Sequence, residues 1–317
     1  MVERESMQHG DECMRVAAID CGTNSIRLLI ADIDGTNFRE IYRTMEIVRL
    51  GQGVDRNKSF HPDAIARTLA AVDLFAQEIS KRGVEEIRFC ATSATRDANN
   101  RELFIDGVKE RLGIAPEVIS GEEEARLSFI GATKEFAPTE APFLVVDIGG
   151  GSTEFVYGNS DVEFAKSVNI GCVRMTERNI HSDPPKAEEI ENARRDIQDA
   201  IAVAAAIVPI TKAKTLIAVA GTATSVAASA LNLAQYDRHL IHLARVSAEQ
   251  THQVAKTFAL MNADQRSQVG FLHPGRADVF AAGSLVLSEI MKATGAKEFV
   301  ASEADILDGI AWSLARS

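Results

Sequence analysis

The chain lacks a disulfide framework, a long apolar run, a surplus of positive charge and a lysine-bearing phosphate loop. Its four cysteines, Cys13, Cys21, Cys90 and Cys172, lie far apart with no CxxC among them, so they read as reduced thiols and not as a cystine scaffold or a zinc site. The longest apolar stretches, such as 201–210, fall well short of the roughly 18 residues a membrane helix needs. The opening MVERESMQHGDECM is polar and has no apolar signal core, so a cytoplasmic protein with a flexible leader over 1–14 is expected. Asp and Glu number 45 against 34 Lys and Arg, a net charge of −11. That excess argues against nucleic acid or an anionic membrane as a partner through bulk charge, though not against a small anion in a local site. There is no Gly-Lys dipeptide, hence no GxxxxGK[ST], and no GxSxG elbow.

What is present is an ordinary soluble composition, 46% hydrophobic and 25% charged, over 317 residues. That length suits two domains of roughly 150 residues. A strand is expected over 16–19, then a tight turn, then a strand over 26–31, with a second hairpin within 38–50. Residues 62–82 carry Ile65, Leu69, Val72 and Phe75 at helical spacing. A buried strand over 87–91, a helix over 99–112, a short strand over 117–119 and a helix opened by Ser120 follow. A Pro-containing linker at 137–142 precedes a new strand, 143–146, and another over 154–157. Helices are expected over 187–208, 247–261, 277–293 and 303–315, with a buried strand over 216–220. Strands alternate with helices, so the fold class is α/β.

The second strand–turn–strand unit repeats the first. Asp20-Cys21-Gly22-Thr23-Asn24-Ser25 and Asp147-Ile148-Gly149-Gly150-Gly151-Ser152-Thr153 each follow an apolar strand and precede another. The two aspartates are about 127 residues apart, close to one domain length. A glycine-containing turn of this kind can aim several backbone N–H groups at a phosphate without net positive charge. Hydroxyls add donors, and an Asp at the mouth can hold Mg²⁺ directly or through water. One such turn is more often a plain hairpin; a matched pair points to phosphate handling. The triple glycine is followed by a strand, which excludes a Rossmann fingerprint.

Eight segments carry a wider resemblance: AAIDCGTNSIRLLI (17–30), ATSATRDANN (91–100), ISGEEEARLSF (119–129), VVDIGGGSTEF (145–155), IGCVRMTE (170–177), AVAGTATSVAA (218–228), PGRADVFAAG (274–283) and ASEADILDGI (301–310). In this order the chain resembles the exopolyphosphatase / guanosine pentaphosphate phosphatase family, in its short two-domain form. The resemblance implies two ribonuclease-H-like domains of the actin, sugar-kinase and Hsp70 superfamily facing a central cleft. Domain I would comprise 15–136 with 303–317, and domain II 137–302. Cys21 and Thr23 stand where aliphatic and Ser residues are common, a mild departure that leaves the backbone donors intact.

The resemblance also implies roles. Glu124 would be the catalytic base. Asp147 and Glu154 would hold Mg²⁺ or Mn²⁺, with Asp20 assisting. Gly22, Thr23, Asn24, Ser25, Gly149, Gly150, Gly151, Ser152 and Thr153 would cradle phosphates, and Arg96 would clamp one bidentately. Arg27 and Arg276 would contact distal phosphates or select substrate, and Gly221 and Thr222 would shape the cleft. Read on their own, Ser120 and Glu123 fit a capping box, and a carboxylate at that helix start should stay ionised. A polyanion approaching an acidic protein requires the surplus acid to lie away from the cleft, with Arg27, Arg96, Arg276 and Arg174 facing it. His239 and His242 are three residues apart but lack the further ligands a metal needs.

The expected activity is hydrolysis of the terminal phosphate of inorganic polyphosphate, favouring short chains, with guanosine pentaphosphate as the alternative substrate. Members of the family are often dimers, so a homodimer is one outcome the resemblance allows. Two rivals come from other classes: a kinase of the same superfamily, and a non-catalytic nucleotide or polyphosphate sensor. Kinases generally carry a paired-glycine adenosine loop where this chain has Ala220-Gly221-Thr222. The acid set Glu124, Asp147 and Glu154 argues against the sensor.

Overall fold

The computed structural model describes residues 13–35 and 37–315. The leader expected over 1–14 lies, for residues 1–12, outside the described residues; Met14 already belongs to the first strand.

Among the described residues, eleven strands are arranged in two sheets. The first contains β1 (Met14–Cys21), β2 (Ser25–Asp34), β3 (Asn37–Ile47), β4 (Glu86–Ala91) and β5 (Glu117–Val118), in the order β3-β2-β1-β4-β5. The second contains β6 (Phe143–Ile148), β7 (Thr153–Gly158), β8 (Val162–Val168), β9 (Thr215–Val219), β10 (Arg245–Ser247) and β11 (Glu298–Ala301), in the order β10-β11-β9-β6-β7-β8. In both, an Asp-bearing central strand pairs antiparallel with its successor on one side and parallel with a later strand on the other. The repeat seen in two turns is therefore a repeat of topology. The central strands β1 and β6 are covered on both faces, which suits their near-continuous apolar sequence.

The helix Pro62–Arg82 lies where its periodicity placed it. Pro62 occupies the first position, His61 accepts from the Asp63 amide, and Gly83, at φ 62°, ends the helix. It buries Ile65, Val72, Phe75 and Ile79 against a core that includes Phe89 and Phe104. Elsewhere the boundaries move: the helix expected from 99 starts at Arg101, the one expected from 277 starts at Phe280, and the last helix spans Ile306–Trp312. The linker at 137–142 folds into a short 3-10 turn, Pro138–Glu140. No helix among the described residues is long and apolar enough to cross a membrane.

The helix Gly121–Thr133 joins the two halves. Leu127 belongs to the core beneath β1 and β2, whereas Ala125, Phe129 and Ala132 pack on β6, β7 and β9. The last helix crosses it at glycine contacts: a Cβ on Gly131 would stand 1.8 Å from the Asp305 carbonyl oxygen, and one on Gly309 would stand 1.9 Å from that of Leu127. Ser120 caps the helix by accepting from the Glu123 amide at 3.2 Å. The reciprocal half of the expected capping box is missing, because the Glu123 carboxylate is taken by Arg126 and Arg88.

Candidate active site

The two turns have the same construction. Cys21 pairs with Ile26, and Ile148 with Thr153, so each closes a four-residue loop. Gly22 donates its N–H to the Ser25 carbonyl at 2.9 Å, and Gly149 does the same to Ser152 at 3.0 Å. The loops come from different sheets and touch. A Cβ on Gly150 would lie 2.9 Å from the Thr23 Cβ, and one on Gly151 would lie 2.7 Å from the hydroxyls of Thr23 and Ser93. Only residues without a side chain permit that approach.

Between them is a cavity of about 80 Å³ lined by Asp20, Gly22, Thr23, Asn24, Ser25, Arg27, Glu124, Asp147, Gly149, Gly150, Gly151, Ser152, Gly221, Thr222 and Arg276. Both loops and the Glu124 carboxylate thus share one opening. Thr153, Glu154 and Arg96 do not line it. The Thr153 hydroxyl donates to the Ile170 carbonyl at 2.6 Å. Glu154 is fully buried behind the loop, where the hydroxyls of Ser152 and Ser167 each donate to it at 2.7 Å.

The arginines depart most from expectation. Arg96 turns to the carboxylate of Glu124 at 2.7 Å and to the Ile119 carbonyl at 2.9 Å, so it holds the candidate base and does not itself face the cavity. Arg27 forks onto Asp20 at 2.7 and 3.0 Å and also pairs with Asp305. Arg174 leaves the cleft for Asp55 and Asp97. A buried guanidinium needs a carboxylate partner, and these three find theirs in neighbouring segments. Arg27 nevertheless lines the cavity, and so does Arg276. Arg276 is half-buried and has no acid partner among the described residues; its Nη2 contacts the Met45 sulfur at 3.3 Å, and desolvation lowers its pKa. Gly221 makes room for it, since a Cβ there would fall 1.2 Å from its Nη1.

The cleft is accordingly not a basic funnel: Asp20, Glu124 and Asp147 line it with only Arg27 and Arg276. Burial, followed by repulsion from Asp305 and Glu124, pushes Asp147 up to about 7, although the Ser128 hydroxyl donates to it at 2.5 Å. Burial raises Glu124 despite Arg96. Burial and the charges of Glu124 and Asp147 raise Glu154 well above the usual range. Burial also raises Asp20 against the pull of Arg27.

These hard oxygen donors suit Mg²⁺ or Mn²⁺, and mutual repulsion among the acids is what a cation would relieve. Among the described residues no three His, Cys, Asp or Glu side chains converge on one point. The donor set therefore fits a cation shared with substrate oxygens and water, and not a closed protein cage.

Thr92, Ser93 and Cys172 also line the cavity, and Asp305 anchors Arg27. Each lies inside a segment that carried the resemblance, but nothing local marks it. Asp305 caps the last helix by accepting from the Leu307 amide at 2.9 Å, and that alone accounts for an Asp before an apolar run.

Comparison with known proteins agrees with the geometry. A model of the Ppx/GppA phosphatase family matches residues 29–317. Exopolyphosphatase 2 of Mycobacterium tuberculosis is 46% identical over 314 residues, covering 95% of this chain and 98% of that protein. A crystal structure described as an exopolyphosphatase-like protein superposes with TM-score 0.93 at 42% identity, covering 96% of this chain and 98% of the other. The Aquifex aeolicus member of the Ppx/GppA family superposes with TM-score 0.78 at 29% identity, covering 95% of this chain and 97% of its own. The paired sheets are those of the actin-like ATPase fold, and the chain belongs to the Ppx/GppA phosphatase family.

Proposed function

We propose that the protein is an exopolyphosphatase, removing the terminal phosphate of inorganic polyphosphate with a water activated by Glu124. The observation that carries this reading is the common opening of both glycine-bearing loops beside Glu124. The likeness to a protein named exopolyphosphatase over nearly its whole length supports it. Backbone N–H groups of the two loops hold the terminal phosphates, and Arg276 takes a more distal one. Glu124, oriented by Arg96, removes a proton from water; the water oxygen attacks the terminal phosphorus, the anhydride P–O bond breaks, and the shortened chain leaves with the electron pair. A raised pKa suits this base, because it brings proton affinity closer to neutral pH. Asp147, with Asp20 assisting, would hold Mg²⁺ or Mn²⁺, which would supply charge neutralisation; Glu154, expected as a further ligand, does not line the cavity and would act only through its charge on Asp147. The working unit would be two domains, 15–136 with 303–317 and 137–302, closing on the cleft.

Guanosine pentaphosphate is the second reading, favoured by a specific feature. A larger cavity of about 480 Å³ adjoins the first through Arg27, Gly221 and Arg276, and Met45, Tyr236, Phe271 and Leu272 give it apolar walls. Those walls suit a nucleoside better than a phosphate chain. The deciding experiment compares phosphate release from tripolyphosphate, long-chain polyphosphate and guanosine pentaphosphate, each with Mg²⁺ and with Mn²⁺. The first reading expects tripolyphosphate to be the best substrate. Faster turnover of very long chains would refute the short-chain preference, and faster turnover of the nucleotide would favour the second reading.

A further inference from the structure

Arg174, on the helix Cys172–Asn179 of the second half, has a side chain with only 6% of its surface exposed, and it crosses to the first half. Its Nη1 pairs with Asp55, its Nη2 pairs with Asp97 at 2.5 Å, and its Nε donates to the Gly151 carbonyl at 2.7 Å. One buried cation is thus shared by two acids of the opposite half and by the backbone of the second loop. Contacts around it run the same way. Arg178 pairs with Asp55 at 2.7 Å, and Glu177 accepts from the Gly53 amide at 2.9 Å.

The short helix Ser93–Asp97 connects this cluster to the chemistry. Arg96, its penultimate residue, grips Glu124. Asp97, its last, grips the arginine that holds Gly151. Consecutive residues of one rigid turn therefore set the placement of the candidate base and of the phosphate loop.

We propose that Arg174 is a positioning residue, a clamp that fastens the second glycine loop to the first half and keeps Gly151 in register with Glu124. A guanidinium suits this task because its planar fork meets two carboxylates while its Nε serves a carbonyl; an ammonium has three donors, but all on one rotating nitrogen, and cannot reach three separate acceptors in a fixed plane. The guanidinium is desolvated although Asp97 is part-exposed, so removing Arg174 strips Asp97 of this cation, leaves Asp55 to Arg178 and loosens the contact between the halves. Misplacing a reacting group by about 1 Å can cost roughly 10²-fold in rate, so such loosening should be read out in turnover. Only this consequence for turnover rests on the phosphatase reading; the clamp itself does not.

The test uses Arg174→Gln, Asp97→Asn and the double variant. The readouts are steady-state phosphate release from tripolyphosphate, circular dichroism, and small-angle scattering of the free protein. For Arg174→Gln, KM should rise at least about tenfold and kcat should fall, with native dichroism and a larger radius of gyration. Asp97→Asn should move both readouts in the same direction, and the double variant should be no worse than Arg174→Gln alone, because both remove one linkage. Folded Arg174→Gln with wild-type turnover and scattering would overturn the proposal, as would additive losses in the double variant. If Arg174→Gln does not fold, Asp97→Asn decides by the same two readouts, its carboxylate being 31% exposed. If the wild-type protein releases phosphate from no anhydride, the phosphatase reading fails, and scattering still judges the clamp.

Discussion

Asp147 on β6 and Glu154 on β7 are cross-strand partners, acid facing acid, where the matching register in the first half pairs Asp20 with Arg27. Like charges directly opposite one another destabilise a sheet. The first half neutralises its aspartate internally, whereas the second leaves a buried negative cluster.

That cluster makes stability depend on pH. Asp147 titrates near 7 in the folded protein because of burial and then the neighbouring acids, against about 3.9 for an unfolded Asp. The folded state therefore binds a proton that the unfolded chain has lost. This contribution to stability is complete below about pH 4 and disappears as pH rises through about 7. Asp147→Asn should melt higher than wild type at about pH 8, show a flatter melting profile between about pH 5 and 8, and lose turnover. Scanning calorimetry across that range checks it; identical profiles for both proteins would exclude Asp147 as the source.

Glu124→Gln keeps the shape and the donor–acceptor reach of the side chain but cannot accept a proton. Phosphate release should fall by about 10² or more while tripolyphosphate binding persists in titration calorimetry. Turnover at the wild-type rate would remove Glu124 from the mechanism.

Arg96 counters the burial that raises Glu124, both by charge and by its hydrogen bond. Replacing it with Ala should raise Glu124 further, so the acidic limb of the pH–rate profile should shift to higher pH. A limb that stays in place while activity drops would show that some other group titrates there.

Gly131 and Gly309 meet where the helices Gly121–Thr133 and Ile306–Trp312 cross, each facing a backbone carbonyl that cannot swing aside. Gly131→Ala and Gly309→Ala should each cost about 3 kcal/mol or more. Urea unfolding measures this, and a loss below about 0.5 kcal/mol would mean the helices separate freely.

Much of this site was legible because its parts are local. Ser120 capping a helix and Asp before a glycine-bearing turn each depend on a few adjacent residues. What escaped notice lacked such marks. β8, with the sequence VEFAKSV, is partly exposed and owes its strand character to pairing with β7. The helix Cys172–Asn179 begins at a glycine with no side-chain cap. Glu154 looks like a surface residue on a strand, and only the packing of Ser152 and Ser167 around it reveals a buried acid.

The arginines show where reading from sequence stops. Each of Arg27, Arg96 and Arg174 could be assigned to phosphate, yet Arg27 meets Asp305 across 278 residues and Arg174 meets Asp97 across 77. The amino-acid order alone determined the alternating elements, the two matched turns and the acids beside them, because periodicity and turn chemistry act over a few residues. The tertiary structure decided which cations the acids capture, which carboxylates have their pKa raised by burial and that the loops face one another. Those outcomes depend on desolvation and on distances between segments far apart in the chain, which short-range propensity does not set.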